Sequence, residues 1–464
     1  MLELLKERKA AVQENTKQAR ELITAVADRL SFVELDTFRY SKNEFYEEAA
    51  SVGEGVVTGY ARINDNPVCI VAQSAEALKG GVTRAQADKI LKCMALAEKS
   101  GYPLINILSS SGAVIGEGLE VLDGYAEIIA KASALYGVIP QFSVISGKCF
   151  GSIAYYASLS DVVITMKEGV LASTSASVIA AKSGVAAESV GGAEALAKNG
   201  TATLTVGSPE ELKSRLSAII GMITETYHEC EEQSLNQPSV SAEAGYKCAA
   251  VTEEILDAGT FVEFCEKFGS ELKVGLCRIG GMTAGVAISD DKPEGVELTA
   301  AGAKKLSRFI RFLDCYGLPF ISFVNVAGVE ACSQAEGMGL VKDIAGLMSA
   351  VADCESAKIA VIAGKAQGAG YTALASKKLG FDYSVAWANA AISVVNSDVA
   401  VNTIYAKEIA AAKDPEATRR KVAEKYERID SDPFNAALNG LVDNIIDPAA
   451  TRQYLISALF MLNA

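Results

Sequence analysis

The sequence predicts an α/β protein in which one unit occurs twice. Three observations carry this: apolar strands that do not alternate with polar residues, helices interleaved between them, and a pattern that recurs 216–217 residues later. Strands that are apolar at every position are covered on both faces, which is the habit of a largely parallel sheet.

The elements follow in the same order in each half. A helix over 83–100, repeated at 299–316, runs into a Gly-x-Pro turn at Gly101-Tyr102-Pro103 and Gly317-Leu318-Pro319. An apolar strand comes next, Leu104-Ile105-Asn106-Ile107-Leu108 and Phe320-Ile321-Ser322-Phe323-Val324, and then a small-residue loop ending at Gly112 and Gly328. A second helix is expected over 124–135 and 341–354, followed by strands over 142–145 and 359–362. These strands end in glycine-containing turns, Gly147-Lys148-Cys149-Phe150-Gly151-Ser152 and Gly364-Lys365-Ala366-Gln367-Gly368-Ala369-Gly370, each opening a third helix. Asp161-Val162-Val163-Ile164-Thr165-Met166 then recurs as Asp382-Tyr383-Ser384-Val385-Ala386-Trp387. A linker near 232–250 separates units at 1–235 and 245–464.

Composition excludes several classes of function. The 464 residues are 50% hydrophobic and 22% charged, enough to build a core and too apolar for disorder. A net charge of −14 offers no footprint for nucleic acid or anionic membrane. The start of the chain lacks the apolar segment of a signal peptide and no membrane-length apolar run occurs, so a cytoplasmic protein is expected. The ten cysteines are never closer than twelve residues, which rules out a Cys-x-x-Cys knuckle; they read as free buried thiols, and no metal is expected. The single histidine, His228, lies in a charged stretch and reads as solvent-facing or structural.

Chemistry is expected where strands end and helices begin, because the first turn of a helix presents unpaired N–H groups and its positive dipole end. The two glycine turns sit at that point in each half. Two amides aimed at one oxygen form an oxyanion hole, worth about 2.7–4 kcal/mol per donor when a carbonyl becomes an oxyanion. The competing reading is that the glycines serve only tight strand–helix packing. The run Ser109-Ser110-Ser111 has no credible base and reads as a loop of small residues; Gly116-Glu117-Gly118 and Gly337-Met338-Gly339 lack the third glycine of a dinucleotide loop.

At these residues the chain resembles the biotin-dependent acyl-CoA carboxyltransferase family: the β subunits of acetyl- and propionyl-CoA carboxylases and the α subunits of biotin-dependent decarboxylases. The stretches that carry it include Ser31-Phe32-Val33-Glu34-Leu35-Asp36, Gly55-Val56-Val57-Thr58-Gly59-Tyr60, Gly80-Gly81-Val82-Thr83, Gly147-x-Cys149-x-Gly151, Lys365-Ala366-x-Gly368-x-x-Tyr371, Gly440-Leu441-Val442-Asp443 and Asp447-Pro448-x-x-Thr451-Arg452. The resemblance implies two crotonase-like domains in a dimer-based oligomer, typically a hexamer, with active sites formed between the N-terminal domain of one subunit and the C-terminal domain of its neighbour. It implies that the amides of Gly151 and Ser152 hold the acyl-CoA thioester oxygen, and that those of Ala369 and Gly370 hold the ureido oxygen of biotin. Gly80, Gly81, Gly112, Cys149, Phe150, Gly368, Tyr371 and Thr372 would line the substrate sites, with Lys79 and Arg84 facing the CoA phosphates. Thr372 stands where the family usually has the Asp that influences acyl choice, and Gln367 where its turn usually has Tyr.

Biotin would arrive on a separate carrier protein. The other partners implied are a biotin carboxylase or membrane decarboxylase subunits; neither nucleic acid nor direct membrane insertion is expected. Carboxybiotin that loses CO2 in a dry pocket leaves a base on its own ring, so a chain with one histidine and no metal is suited to the reaction. Two other readings stay open on the residues: a non-catalytic CoA-binding scaffold, and a biotin-free crotonase-like enzyme using the loop carboxylates Glu117 and Glu336.

Overall fold

The computed structural model describes residues 1–40, 52–229, 235, 237–238 and 245–462. It divides into two compact units, Met1–Thr224 and Glu225–Ala464. Residues 231–234, 236 and 239–244, which hold much of the expected linker, lie outside the described residues, as does Cys230.

The N-terminal unit is built on one sheet. Its strands are β1 (Val33–Leu35), β2 (Val56–Ile63), β3 (Asn66–Gln73), β5 (Leu104–Ser110), β7 (Gln141–Phe150), β8 (Val162–Met166) and β10 (Leu204–Val206), in that spatial order. β1 to β3 pair antiparallel and every later pair is parallel. β4 (Gly81–Val82) and β6 (Gly112–Ala113) form a separate short ladder, and β9 (Val170–Ala172) pairs with the far end of β7. The C-terminal unit repeats the design. β11 (Val262–Phe264), β12 (Leu272–Ile279), β13 (Met282–Ser289), β15 (Phe320–Val329), β16 (Lys358–Gln367), β17 (Tyr383–Trp387) and β19 (Asn444–Ile446) lie in that order. β14 (Val296–Leu298) and β18 (Ala391–Ser393) pair with β15 and β16.

The sequence explains the repetition residue by residue. Thr83 and Thr299 cap the helices Arg84–Ser100 (α1) and Ala300–Cys315 (α4), accepting from the N–H groups of Gln86 and Gly302 at 3.0 Å in both cases. Asp161 and Asp382, aligned by the repeat, each accept the N–H that starts the neighbouring strand, from Gln141 and Lys358 at 2.8 Å. Asp28 and Asp257 each brace a two-residue hairpin turn, taking the N–H groups of Asn64 and Asp65 in one unit and of Gly280 and Gly281 in the other. The central strands are dry on both faces: Leu104, Ile105, Ile107 and Leu108 are each fully buried, at about 1.5–3 kcal/mol of apolar transfer apiece.

Four expectations are corrected. The second helix of the N-terminal unit begins before Gly124, running Glu120–Leu135 (α2), with Leu340–Asp353 (α5) as its counterpart in the C-terminal unit; a Cβ at Gly124 would lie 2.8 Å from the Ala87 Cβ, so this glycine lets α1 and α2 pack closely rather than starting a helix. Ser109 and Ser110 are strand residues, not loop. The glycine "turns" are mostly strand. β7 and β16 carry extra residues at 146–148 and 363–365, leave β8 and β17 there and continue beside β9 and β18 while still paired with β5 and β15, so the chain turns only at Gly151 and Gly368. Of the described thiols, most are buried as expected, but Cys332 is exposed and Cys265 and Cys315 are half-buried.

Candidate active site

The bend in β7 is imposed by packing. A Cβ on Gly147 would sit 2.5 Å from Ser109 Oγ, and one on Gly364 would sit 2.4 Å from Asn325 Oδ1. For these two glycines the packing reading holds. Gly151 and Gly368 differ: their backbones take φ 70°, ψ −142° and φ 52°, ψ −125°, a region open in practice only to glycine, and a Cβ on Gly151 would meet nothing within 4 Å. At Gly151 conformation, not space, selects glycine; at Gly368 a Cβ would also lie 3.1 Å from the Val394 carbonyl oxygen.

Each of these glycines spends its own N–H on the adjacent strand. Gly151 donates to the Ala172 carbonyl at 3.2 Å, and Gly368 to that of Ser393 at 3.0 Å. Gly151 is therefore corrected as an oxyanion donor. The helices that follow, Ser152–Ser158 (α3) and Ala369–Ala375 (α6), leave first-turn N–H groups with no acceptor inside the helix. In α6 these include Ala369 and Gly370, the pair that the resemblance names; at the matching positions α3 has Ser152 and Ile153. Ile153 was missed, although the 217-residue offset places it opposite Gly370.

Gly80, Gly81 and Gly112 are brought to the same strand end. Gly81 pairs with Gly112, and the Gly80 carbonyl accepts from the Ser111 N–H and the Ser110 hydroxyl, both at 2.9 Å. Ser110 lies opposite Cys149 in the β5–β7 register. Leu78 and Lys79 both hold left-handed backbone (φ 48° and 54°), at about 1–2 kcal/mol per residue. Lys79 is exposed. Arg84, expected at the CoA phosphates, is already paired within the N-terminal unit. Its guanidinium is held by Glu127 at 3.0 and 2.9 Å and by Asp88 at 2.9 Å, and the Glu127 pairing raises its pKa further. The Glu117 carboxylate accepts the Arg84 backbone N–H at 2.6 Å, so that loop carboxylate is a helix cap.

Cys149 and Phe150 are both buried, and Cys149 packs into the core of the N-terminal unit. Burial pushes the Cys149 thiol up to about 12, which leaves it protonated and unreactive. In the C-terminal unit Tyr371 donates its hydroxyl to the Leu441 carbonyl at 3.1 Å, while Thr372 is exposed and bonds back to Gly368. A Cβ on Gly370 would lie 2.5 Å from Val326 Cγ1, so α6 starts hard against β15. His228 is exposed.

A cavity of about 740 Å³ opens beside the end of β16, lined among others by Gly295, Ala327, Glu330, Lys365, Gln367 and Asn396. Gln367 is 6% exposed, and its Oε1 has no hydrogen-bond partner. A cyclic urea presents one carbonyl acceptor and ring N–H donors; first-turn amides and a spare carboxamide oxygen are the complementary set, so these residues fit biotin. In the N-terminal unit a cavity of about 710 Å³ lies at the ends of β8 and β10, near Thr165, Lys167 and Lys198, and none of the predicted site residues line it.

Comparison with known proteins assigns this arrangement. The model of the carboxyl transferase domain matches residues 10–464. The chain belongs to the carboxyl transferase family. Within the family it is 34% identical, over 97% of its own length and 91% of the relative's, to a putative propionyl-CoA carboxylase beta chain of Bacillus subtilis. It is 30% identical to the methylmalonyl-CoA carboxyltransferase 12S subunit of Propionibacterium freudenreichii, covering 96% and 88% of the two chains. A crystal structure of transcarboxylase 12S, described as a hexamer assembly with methylmalonyl-coenzyme A and methylmalonic acid bound, superposes with a TM-score of 0.90 at 28% identity, over 99% of this chain and 94% of that one. The duplicated unit of this carboxyl transferase is thus the crotonase-like domain that its sequence resembles.

Proposed function

We propose that the chain is the carboxyltransferase component of a biotin-dependent acyl-CoA enzyme, moving a carboxyl group between biotin on a separate carrier protein and the α-carbon of an acyl-CoA. The observation that carries this is the pair of matching turns. In each unit a parallel strand ends at a positive-φ glycine whose own N–H is spent, and a helix opens at once with two free donors.

In the N-terminal unit, Ser152 and Ile153 donate to the thioester oxygen, whose charge grows as the α-carbon loses or gains its carboxyl group. Each aligned donor contributes about 2.7–4 kcal/mol to that step. Gly80, Gly81 and Gly112 leave the backbone bare for the close approach of the thioester, and exposed Lys79 faces the CoA phosphates. In the C-terminal unit, Ala369 and Gly370 hold the ureido oxygen. Biotin, when bound, supplies the nitrogen that carries the carboxyl group and the base that takes the α-proton. The protonated Cys149 and the exposed His228 take no part. Relatives named for propionyl- and methylmalonyl-CoA support a short acyl chain, and the neighbour described as a hexamer assembly and multienzyme core supports self-association and work within a multienzyme assembly.

The test is direct. The purified chain, given free biotin and methylmalonyl-CoA, releases CO2 in a biotin-dependent manner. Absence of thioester turnover at millimolar biotin would sink the proposal.

A further inference from the structure

The two units share strand order and the form of this turn, so a chemical difference at matched positions points to a difference in ligand. At the last strand residue before the glycine, the N-terminal unit has Phe150 and the C-terminal unit has Gln367. Phe150 is buried and has no polar side-chain atom to satisfy. Gln367 is equally buried, yet its Oε1 is left without a donor at the wall of the 740 Å³ cavity. Burying an unpaired carboxamide oxygen is unfavourable, and natural folds keep such a group where something else completes it. The cavity lining points to the class of that partner. Carboxylates outnumber lysines there by seven to two, Glu294, Glu330 and Asp398 among them, so the lining is rich in acceptors for a group bearing N–H. Gln367 is also one residue from Gly368, after which the free amides of Ala369 and Gly370 follow.

Building on the carboxyltransferase reading, we infer that Gln367 is a specificity-determining residue of the C-terminal unit: its carboxamide oxygen accepts a hydrogen bond from the ring N–H of a cyclic urea. A urea ring in that cavity meets in Gln367 an acceptor for its N–H. A ring lacking the N–H leaves the glutamine as unpaired as before.

The experiment uses the full chain and free biotin. In Gln367→Met, a side chain of similar length without the acceptor, the KM for biotin in methylmalonyl-CoA decarboxylation rises about tenfold, the size expected for one lost hydrogen bond. The KM for methylmalonyl-CoA stays within about twofold, because that ligand binds elsewhere. Gln367→Glu keeps an oxygen at the same reach and recovers most of the affinity. Calorimetric titration with biotin gives the same ranking without turnover, and a wild-type chain that binds biotin but turns nothing over refutes the enzymatic reading while leaving this one to the titration. An independent arm needs no variant: 2-imidazolidinone competes with biotin at least tenfold better than 1,3-dioxolan-2-one, which has the same ring and carbonyl but no N–H. Unchanged biotin affinity in Gln367→Met, equal competition by the two rings, or a wild-type chain that binds no biotin overturns the inference.

Discussion

Replacing Gly151 by alanine separates conformation from crowding, because the structure gives each a different size. A Cβ at residue 151 meets nothing within 4 Å, so no clash enters. What remains is the backbone, at φ 70°, ψ −142°. Holding an alanine there costs about 1–3 kcal/mol, which lowers the melting temperature of a unit this size by roughly 2–12 °C. If the chain instead relaxes the strain by turning the 151–152 peptide, the Ser152 N–H leaves its place at the head of α3. One missing oxyanion donor then costs about 2.7–4 kcal/mol in the transition state, or roughly 10²–10³ in kcat. Gly151→Ala therefore loses melting temperature, kcat or both, while the KM for methylmalonyl-CoA moves little. Biotin-dependent CO2 release and a thermal melt on the same sample read the two routes separately. Gly147→Ala is the control for crowding: its Cβ would lie 2.5 Å from Ser109 Oγ, so it destabilises, and Ser109→Gly in the same chain relieves much of that loss. A Gly151→Ala protein with wild-type melting temperature and wild-type kcat would refute the assignment of this turn.

Other outcomes follow from the same geometry. Arg84→Gln leaves the KM for acyl-CoA within about twofold and costs under about 1 kcal/mol of stability, since the guanidinium is already neutralised and its pairs are partly solvated; a large rise in KM in steady-state kinetics would return Arg84 to the phosphate site. Lys79→Gly raises stability by about 1 kcal/mol in chemical denaturation by removing a left-handed lysine, and raises the acyl-CoA KM in a salt-dependent way. The Lys89 ammonium is buried against the Gly53 and Val56 carbonyls, and burial lowers its pKa to about 8. The unfolded chain, with an ordinary lysine near 10.4, binds the proton more tightly, so the Lys89 contribution to stability rises by about 3 kcal/mol between pH 8 and 10.4; denaturation curves of Lys89→Met show no such increment, and parallel pH profiles for the two proteins would contradict it. Iodoacetamide alkylates exposed Cys332 under native conditions and spares Cys149, as peptide mass mapping would record.

Much of the fold was legible because the residues that shape it are punctuation with a physical meaning. Thr83 and Thr299 begin helices, Gly101 and Gly317 end them, and Asp161 and Asp382 anchor neighbouring strands; each works locally and so repeats at a readable offset. What was misread depends on partners distant in sequence. Gly124 looks like a helix breaker until Ala87 is known to press on it. Lys148-Cys149-Phe150 looks like a turn because nothing local reveals that β9 waits to pair with it. Arg84 looks like a free cation because Glu127 lies 43 residues away. At the site, the glycines were legible but their division of labour was not: which of Gly147 and Gly151 answers to crowding and which to φ depends on Ser109 and on backbone angles that composition does not carry.

Duplication explains how one backbone serves two ligands without two inventions. On the proposed reading, the requirements shared by a thioester and a urea, a carbonyl oxygen that gathers charge and a dry place to hold it, fall to backbone: the bend of β7 and β16, the positive-φ glycine, and the helix that follows. Backbone survives side-chain change, so the copies could diverge without losing the donors. The requirements that differ are met by side chains at matched positions, where Ser109 answers Asn325, Cys149 answers Ala366 and Phe150 answers Gln367. Asn325 shows the division at work: its Nδ2 donates to the carbonyls of Asp290 and Lys292 and its Oδ1 accepts from Lys365, tying the polar rim of the C-terminal cavity to the strand that carries Gln367. Ser109 has no reach for such a brace. On this argument, exchanging Phe150 and Gln367 between the units leaves both turns formed and weakens the polar ligand alone, an outcome that tertiary packing by itself would not produce.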